Sequence, residues 1–168
     1  MLGASYSPNQ WRDFFVMLGG GSAALTGLVF VAMSLNLEAI TRDATHKYRA
    51  ISTLTGFVAA FAISALALLG GEDGTDVGIE WLAVSSLATA IFLAGYVLGQ
   101  RQGGTSFGLY PARLVIYTAA YVAQITGAAL LVRGQIAGLY IASVAVIFQI
   151  CFAIWGAWLL ILGARNQS

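Results

Sequence analysis

The residues of this sequence most able to do chemistry are uncharged polar side chains inside long apolar stretches. Thr26, Thr89, Gln124 and Gln149 each lie within one residue of the midpoint of such a stretch. An amide buried in hydrocarbon without a hydrogen-bonding partner is energetically costly. We therefore expect both glutamines to face protein or water rather than lipid.

Further hydroxyl groups extend this polar layer toward both ends of the stretches. When successive spans cross in opposite directions, Ser22 and Ser85 lie toward one end of the bundle. Tyr96, Tyr117 and Tyr121 then lie toward the other end. Such residues can hydrogen-bond one another and fix a bundle of helices, at about 0.6 kcal/mol per bond in a membrane. They can also line a neutral polar pathway for water, a small solute or an ion. The residues alone leave both interpretations open.

Charged and metal-binding residues are missing from the middle of every apolar stretch. Charges within a membrane mark proton relays and coupled ion sites, so their absence argues against a proton-coupled pump. The single histidine, His46, has no recognisable partner that would complete a metal site and fits a solvated loop residue better. The single cysteine, Cys151, excludes an intrachain disulfide. We predict no catalytic residue, no metal and no cofactor, and thus no enzyme.

Five apolar stretches must position these residues. The 168 residues are 59% hydrophobic and 9% charged, with a mean hydropathy of +0.82, whereas soluble domains carry about 25% charged residues. Roughly 20 apolar residues let a helix cross a bilayer. After a polar leader that Pro8 interrupts, the sequence predicts one domain, an all-α bundle of five transmembrane helices. Their spans lie at about 14–37, 50–69, 79–98, 112–132 and 138–162, with an acidic loop before the third and a tight turn at residues 133–135.

The basic residues predict the orientation of the chain. With the N-terminus outside, six of the eight Lys and Arg residues lie on the cytoplasmic side, and only Arg12 and Arg133 lie outside. Because cytoplasmic loops are enriched in Lys and Arg, we expect the N-terminus outside and the C-terminus in the cytoplasm. The net charge of +1 gives no reason to expect nucleic acid as a partner.

The first span has two unlike sides when its residues are placed at about 100° intervals. One side is a stripe of mostly small residues, on which another helix backbone can pack closely: Gly20, Ala24, Gly27, Val31 and Ser34. The other side carries hydroxyl groups, which a lipid-facing surface does not need: Ser22, Thr26, Val29, Met33 and Asn36. Because both sides are specialised, we expect this helix at the centre of the bundle.

Small residues recur on later spans, at Gly95 and Gly99 of the third and at Gly156 of the fifth. We expect these positions, like Gly20, Ala24 and Gly27, to be sites of helix packing. Their spacing leaves open whether all are used within one chain or whether some mediate self-association. The expected partners are the lipid bilayer and either further copies of the chain or a larger membrane complex.

The segment GGGSAALTGLVFVAMSLNLEAI, followed by a basic loop and RAISTL, resembles a pattern in small bacterial inner-membrane proteins, some of which are labelled modulators of the FtsH protease. The resemblance covers about the first third of the chain. It implies a location in the bacterial plasma membrane and transfers no site residue. We predict a self-associating membrane protein with a neutral polar pathway for channel-like passage of an ion or small solute. The alternative is a non-catalytic accessory subunit or modulator that docks on a larger membrane complex.

Overall fold

The structure is a computed structural model, which describes residues 7–35, 37, 44–69, 73–101 and 110–165. Within these ranges the chain forms five α-helices, each long and apolar enough to cross a membrane. They are α1 (Pro8–Leu35), α2 (Ala44–Ala67), α3 (Gly74–Arg101), α4 (Tyr110–Val132) and α5 (Ala137–Arg165). The predicted all-α fold with five long apolar helices is confirmed.

Three helices, α1, α2 and α3, begin well before their predicted starts, because polar residues extend the apolar runs. α1 begins at Pro8, in the segment expected to be an irregular leader. Proline fits the first turn of a helix, where its missing N–H is not needed. α3 begins at Gly74, because Asp73 Oδ1 accepts hydrogen bonds from the backbone N of Thr75 (2.8 Å) and of Asp76 (3.1 Å), as an N-cap residue does.

The connection between α1 and α2 is shorter than predicted. α2 begins at Ala44, so the backbone of His46 lies in the first turn of this helix. The prediction that His46 lies in a loop was therefore wrong, because an apolar run marks only the lipid-length part of a helix. The side chain of His46, and the whole of Asn36, lie outside the described residues.

The turn between α4 and α5 is tight, as predicted. Gly134 has a φ of 77°, a left-handed conformation that glycine adopts without steric cost. The backbone N of Gln135 donates to Leu130 O (3.0 Å), and that of Gly134 donates to Leu131 O (2.8 Å). This is the Schellman pattern of a helix C-terminus, and it sends α5 back along α4.

Consecutive helices pack side by side in alternating directions. Gly19 near the start of α1 lies against Ser64 near the end of α2, and Gly78 near the start of α3 lies against Val132 at the end of α4. α2 also packs against α5, so α2, α3, α4 and α5 enclose one interior.

α1 lies at the edge of this bundle, and the prediction that it forms the centre was wrong. It packs mainly against α2 and touches α5 through few residues, such as Trp11, whose ring centroid lies 4.9 Å from that of Tyr140. Only 17% of its most apolar 18-residue window is buried, against 44% for α2. The two unlike sides exist, but a neighbour covers only the side that carries Ser22.

The predicted packing positions on the later helices are covered. Tyr48 of α2 lies over Gly95 and Gly99 of α3, where a Cβ at Gly99 would be 3.1 Å from Tyr48 Cδ2. Gly156 of α5 lies against the guanidinium of Arg113, where a Cβ at Gly156 would be 3.1 Å from Arg113 Nη2. These glycines let bulky side chains approach the backbones of α3 and α5.

The predicted packing positions on α1 are uncovered. A Cβ built at Gly20 or at Gly27 meets nothing within 4 Å, and Ala24 is exposed. Within the described ranges, the close approach on α1 is instead at Gly19, where a Cβ would be 3.0 Å from Ser64 Cβ.

Two apolar clusters fill the interior, one toward each end of the bundle. The larger includes Phe15, Trp81, Leu131, Leu139 and Val146. The smaller consists of Ala59, Ala88, Phe92, Tyr117 and Tyr121. Because the helices alternate in direction, the polar residues Ser85, Gln124 and Gln149 lie between the two clusters.

Candidate functional site

Two glutamines form the centre of the candidate site. Gln124 on α4 and Gln149 on α5 are 2% and 3% exposed, and Gln124 Nε2 donates a hydrogen bond to Gln149 Oε1. Gln124 Oε1 accepts from Trp81 Nε1 (3.4 Å) and from Ser85 Oγ (3.4 Å), both on α3. As expected, both amides face protein, and together they connect three helices.

α2 completes this layer with its backbone rather than with a side chain. A Cβ at Gly56 would lie 3.4 Å from Gln149 Nε2, so Gly56 leaves room for the amide. The layer of Trp81, Ser85, Gln124 and Gln149 therefore joins all four helices that enclose the interior.

Polar side chains continue from this layer toward the end of the bundle where α4 begins. Tyr121 lies beside Gln149, and Tyr117, one turn earlier on α4, lies beside Arg113 and Thr53. The two tyrosines are 1% and 0% exposed. The tyrosines, the glutamine layer and Arg113 thus form one continuous set, which we call the polar column.

The column has polar atoms that are not fully used. Tyr117 Oη, Tyr121 Oη and Gln149 Nε2 are buried and have no hydrogen-bond partner among the described residues. Buried polar groups in native proteins are usually paired with protein or with ordered water. These three atoms belong to adjoining residues of the polar column, and Ser143 Oγ on α5 is a further buried atom of this kind.

Arg113 ends the polar column with a positive charge. Its Nη2 donates to Thr53 Oγ1 (3.3 Å), and its Cζ lies 5.2 Å from the centroid of the Tyr117 ring, within range of a cation–π interaction. Arg113 is only partly buried. The column therefore runs from a neutral amide layer at half depth to a cation at the bundle end.

The structure does not bring all the predicted polar residues together. The hydroxyls of Ser22, Thr26 and Thr89 donate to backbone oxygens four residues earlier in their own helices, at 2.6, 2.7 and 2.6 Å. Tyr96 lies near the end of α3 and accepts a hydrogen bond from Gln100 Nε2 (2.7 Å). Among the predicted residues, Ser85, Tyr117, Tyr121 and the two glutamines are in the polar column.

Sequence reasoning did not select Trp81, Thr53 or Arg113 for the site. Trp81 suits a lipid–water boundary, and Arg113 is one of the basic residues that indicate orientation. One signal was present: Arg113 precedes Tyr117 by four residues, as Tyr117 precedes Tyr121, so all three lie on one helix face. Thr53 and Trp81 carry no such signal, because their proximity depends on how separate helices are rotated.

Among the described residues, no three His, Cys, Asp or Glu side chains lie close enough to hold a metal ion, and Cys151 is exposed as a free thiol. Comparison of the chain with protein-family models, with curated proteins and with solved structures finds no match.

Proposed function

We propose that the five helices cross the bacterial plasma membrane, with the N-terminus outside and the C-terminus in the cytoplasm. The apolar spans are 20 to 28 residues long, about the length that a bilayer requires. Lys47, Arg101 and Arg113 lie at one end of the bundle, and Arg12 and Arg133 lie at the other. The excess of basic residues at the first end supports a cytoplasmic location for it.

The function that this geometry supports best is that of a non-catalytic membrane subunit, which self-associates through α1. One observation carries this function: the stripe of Gly20, Ala24, Gly27, Val31 and Ser34 is exposed along its length. We call it the small-residue face. Within the described residues no helix packs on this face, whereas the small residues of α3 and α5 are covered.

Lipid does not offset the cost of glycine on this face. Each glycine in a helix interior is less favourable than alanine by about 1 kcal/mol, and a residue without a side chain makes few dispersion contacts with acyl chains. A second helix recovers this loss when its backbone approaches the glycines. A twofold axis along the membrane normal brings the same face of two copies together, so a second copy of this chain is the partner.

The oligomeric state of the purified chain in detergent tests this function. We expect the unsubstituted protein to be a dimer by light scattering, and Ala24→Ile to be a monomer, because its larger side chain separates the two backbones. Ala90→Ile, on an exposed side of α3, is the matched control and keeps the dimer.

Three results would contradict self-association. The unsubstituted chain could be monomeric in a mild detergent at high protein concentration, or Ala90→Ile could dissociate the dimer as fully as Ala24→Ile does. A different membrane protein, held in stoichiometric amount and lost in Ala24→Ile, would instead support an accessory subunit of a larger complex.

A channel-like pathway is a second candidate function, supported by the unused polar atoms of Tyr117, Tyr121 and Gln149. These side chains are at most 3% exposed, so the column is closed in this structure. Passage of water, a small solute or an ion requires α4 and α5 to move apart.

Flux into liposomes tests this pathway. Its presence predicts that the protein raises the permeability to water, glycerol or potassium above that of empty liposomes. The variant Gln124→Leu/Gln149→Leu should abolish the increase, because it replaces the polar layer by hydrocarbon. Thr126→Val, on an exposed side of α4, should leave it unchanged. Absent flux, or flux that persists in the double variant, would exclude the pathway.

A further inference from the structure

The two ends of the bundle are closed in different ways. At the end that contains the Gly134 turn, which we call the Gly134 end, helix backbones touch directly. A Cβ at Gly127 of α4 would lie 2.5 Å from Gly138 O of α5, and a Cβ at Gly78 of α3 would lie 2.9 Å from Val132 N of α4. Only a movement of whole helices can open such crossings, and movements of that kind are slow, on the order of microseconds to milliseconds.

At the opposite end, which we call the Arg113 end, side chains of the described residues stand between the helices. The Tyr48 ring of α2 covers the backbone of α3 at Gly99, where a Cβ would lie 3.1 Å from Tyr48 Cδ2. The Arg113 guanidinium of α4 lies against the backbone of α5 at Gly156. Both side chains are partly exposed, and side chains that reach solvent change rotamer far faster than helices move. This end can therefore open while the helices stay in place.

A small pocket adjoins both of these side chains. It has a volume of about 30 Å³, and its lining includes Tyr48, Ser52 and Arg113. A polar space of this size holds about one or two water molecules. The guanidinium at its wall donates to the buried Thr53 hydroxyl (3.3 Å) and lies over the buried Tyr117 ring. The pocket is thus separated from the polar column by the Arg113 side chain.

We propose that the side chains of Tyr48 and Arg113 form a gate, through which water enters the polar column from the Arg113 end while the Gly134 end stays closed. Water that passes the gate meets Tyr117 Oη and Tyr121 Oη, two buried atoms that it can hydrogen-bond. Entry from one end is not passage, which also requires α4 and α5 to move apart. Such a gate is compatible with self-association and with the channel-like pathway, and it requires neither.

Thiol labelling of the full chain in a neutral detergent tests the gate. Cys151→Ala removes the native thiol, and two single cysteines on α2, Thr53→Cys and Ser64→Cys, are then compared. Both of the replaced side chains are buried, at 4% and 0% exposure. Thr53 lies nine residues after the start of α2 at Ala44, whereas Ser64 lies three residues before its end at Ala67. Distance from the helix end alone therefore predicts faster labelling of Ser64→Cys.

The gate predicts the opposite order of labelling. The reagent is iodoacetamide, a neutral molecule that alkylates the thiolate form of cysteine and so reports on thiols that water reaches. We expect Thr53→Cys to react at least about tenfold faster than Ser64→Cys, because local openings of low free energy dominate the access to buried groups. Equal rates, faster labelling of Ser64→Cys, or no labelling of Thr53→Cys would overturn the proposal.

Tyr48→Ala, added to each single-cysteine variant, assigns the opening to the gate. Loss of the ring should accelerate labelling of Thr53→Cys and leave that of Ser64→Cys unchanged. Trp155→Ala is the matched control, since it removes an aromatic side chain that is 61% exposed at the same end of the bundle, and it should change neither rate. An unchanged rate for Thr53→Cys, or equal acceleration of both thiols, would contradict the proposal. The comparison of the two cysteines with Tyr48 in place is decisive even if Tyr48→Ala fails to fold.

Discussion

Most hydroxyl side chains in these helices bond to their own helix, with Ser85 as an exception, whereas the two buried glutamines reach a neighbouring helix. The hydroxyls of Thr26 and Thr89 each donate to a backbone oxygen four residues earlier, as serine and threonine often do within helices. Gln124 and Gln149 extend far enough to meet between α4 and α5. The position of a residue relative to the midpoint of its predicted span therefore located the central glutamines. It could not show that the threonines lie outside the polar column.

The glutamine pair should contribute measurably to stability. Gln149→Leu removes the acceptor of Gln124 Nε2 and leaves a buried amide without its partner. We expect the free energy of unfolding to fall by about 1–2 kcal/mol, measured by reversible unfolding in mixed micelles with increasing dodecyl sulfate.

Thr126→Val serves as the control for this variant, because Thr126 is exposed and its hydroxyl donates to Val122 O in the same helix. It should alter the free energy of unfolding by no more than about 0.5 kcal/mol. The double variant Gln124→Leu/Gln149→Leu should lose at least as much stability, since it also removes the acceptor of Trp81 Nε1 and Ser85 Oγ. An unchanged stability for Gln149→Leu would refute the role of the pair.

Whole helices are positioned by glycines at their crossings. α4 and α5 approach closely at Gly127, where a Cβ would lie 2.5 Å from Gly138 O and 2.7 Å from Ala142 N. The obstructing atom belongs to the backbone, so no side chain can turn aside to make room. The tight turn at Gly134 and this crossing together hold α4 against α5, and hence Gln124 against Gln149.

Gly127→Ala should destabilise the bundle by about 1–3 kcal/mol, as other overpacking substitutions do. Gly21→Ala is the matched control, because a Cβ at Gly21 meets nothing within 4 Å; it should be neutral or slightly stabilising through its higher helix propensity. Both are measured by the same unfolding assay. Equal stabilities for the two variants would show that α4 and α5 do not cross at this distance.

The apolar runs predicted the helices well, because hydropathy and length determine which segments can cross a bilayer. They did not predict the helix starts, such as Pro8 and Gly74, because polar residues outside the run set those. The two sides of α1 were also predictable from spacing alone. Which side has a neighbour in the same chain was not, since a stripe of small residues looks the same whether its partner is internal or external.

At the scale of the whole molecule, the chain combines a closed bundle with an outlying helix. α2, α3, α4 and α5 share the polar column, while α1 covers part of α2 and leaves its small-residue face exposed. Most side chains of the interior are packed by contacts within the chain. The exposed small-residue face of α1 is the surface that a second copy would cover. The proposed self-association therefore depends on what meets α1 in the membrane.

Oxidative cross-linking in native membranes tests that contact most directly. With the native cysteine removed by Cys151→Ala, Ala24→Cys puts a thiol on the small-residue face, and Leu87→Cys puts one on α3, where Leu87 is 64% exposed. Self-association through α1 predicts a covalent dimer for Ala24→Cys and a monomer for Leu87→Cys. If Ala24→Cys stays monomeric, or both variants cross-link to the same extent, α1 is not the dimer interface.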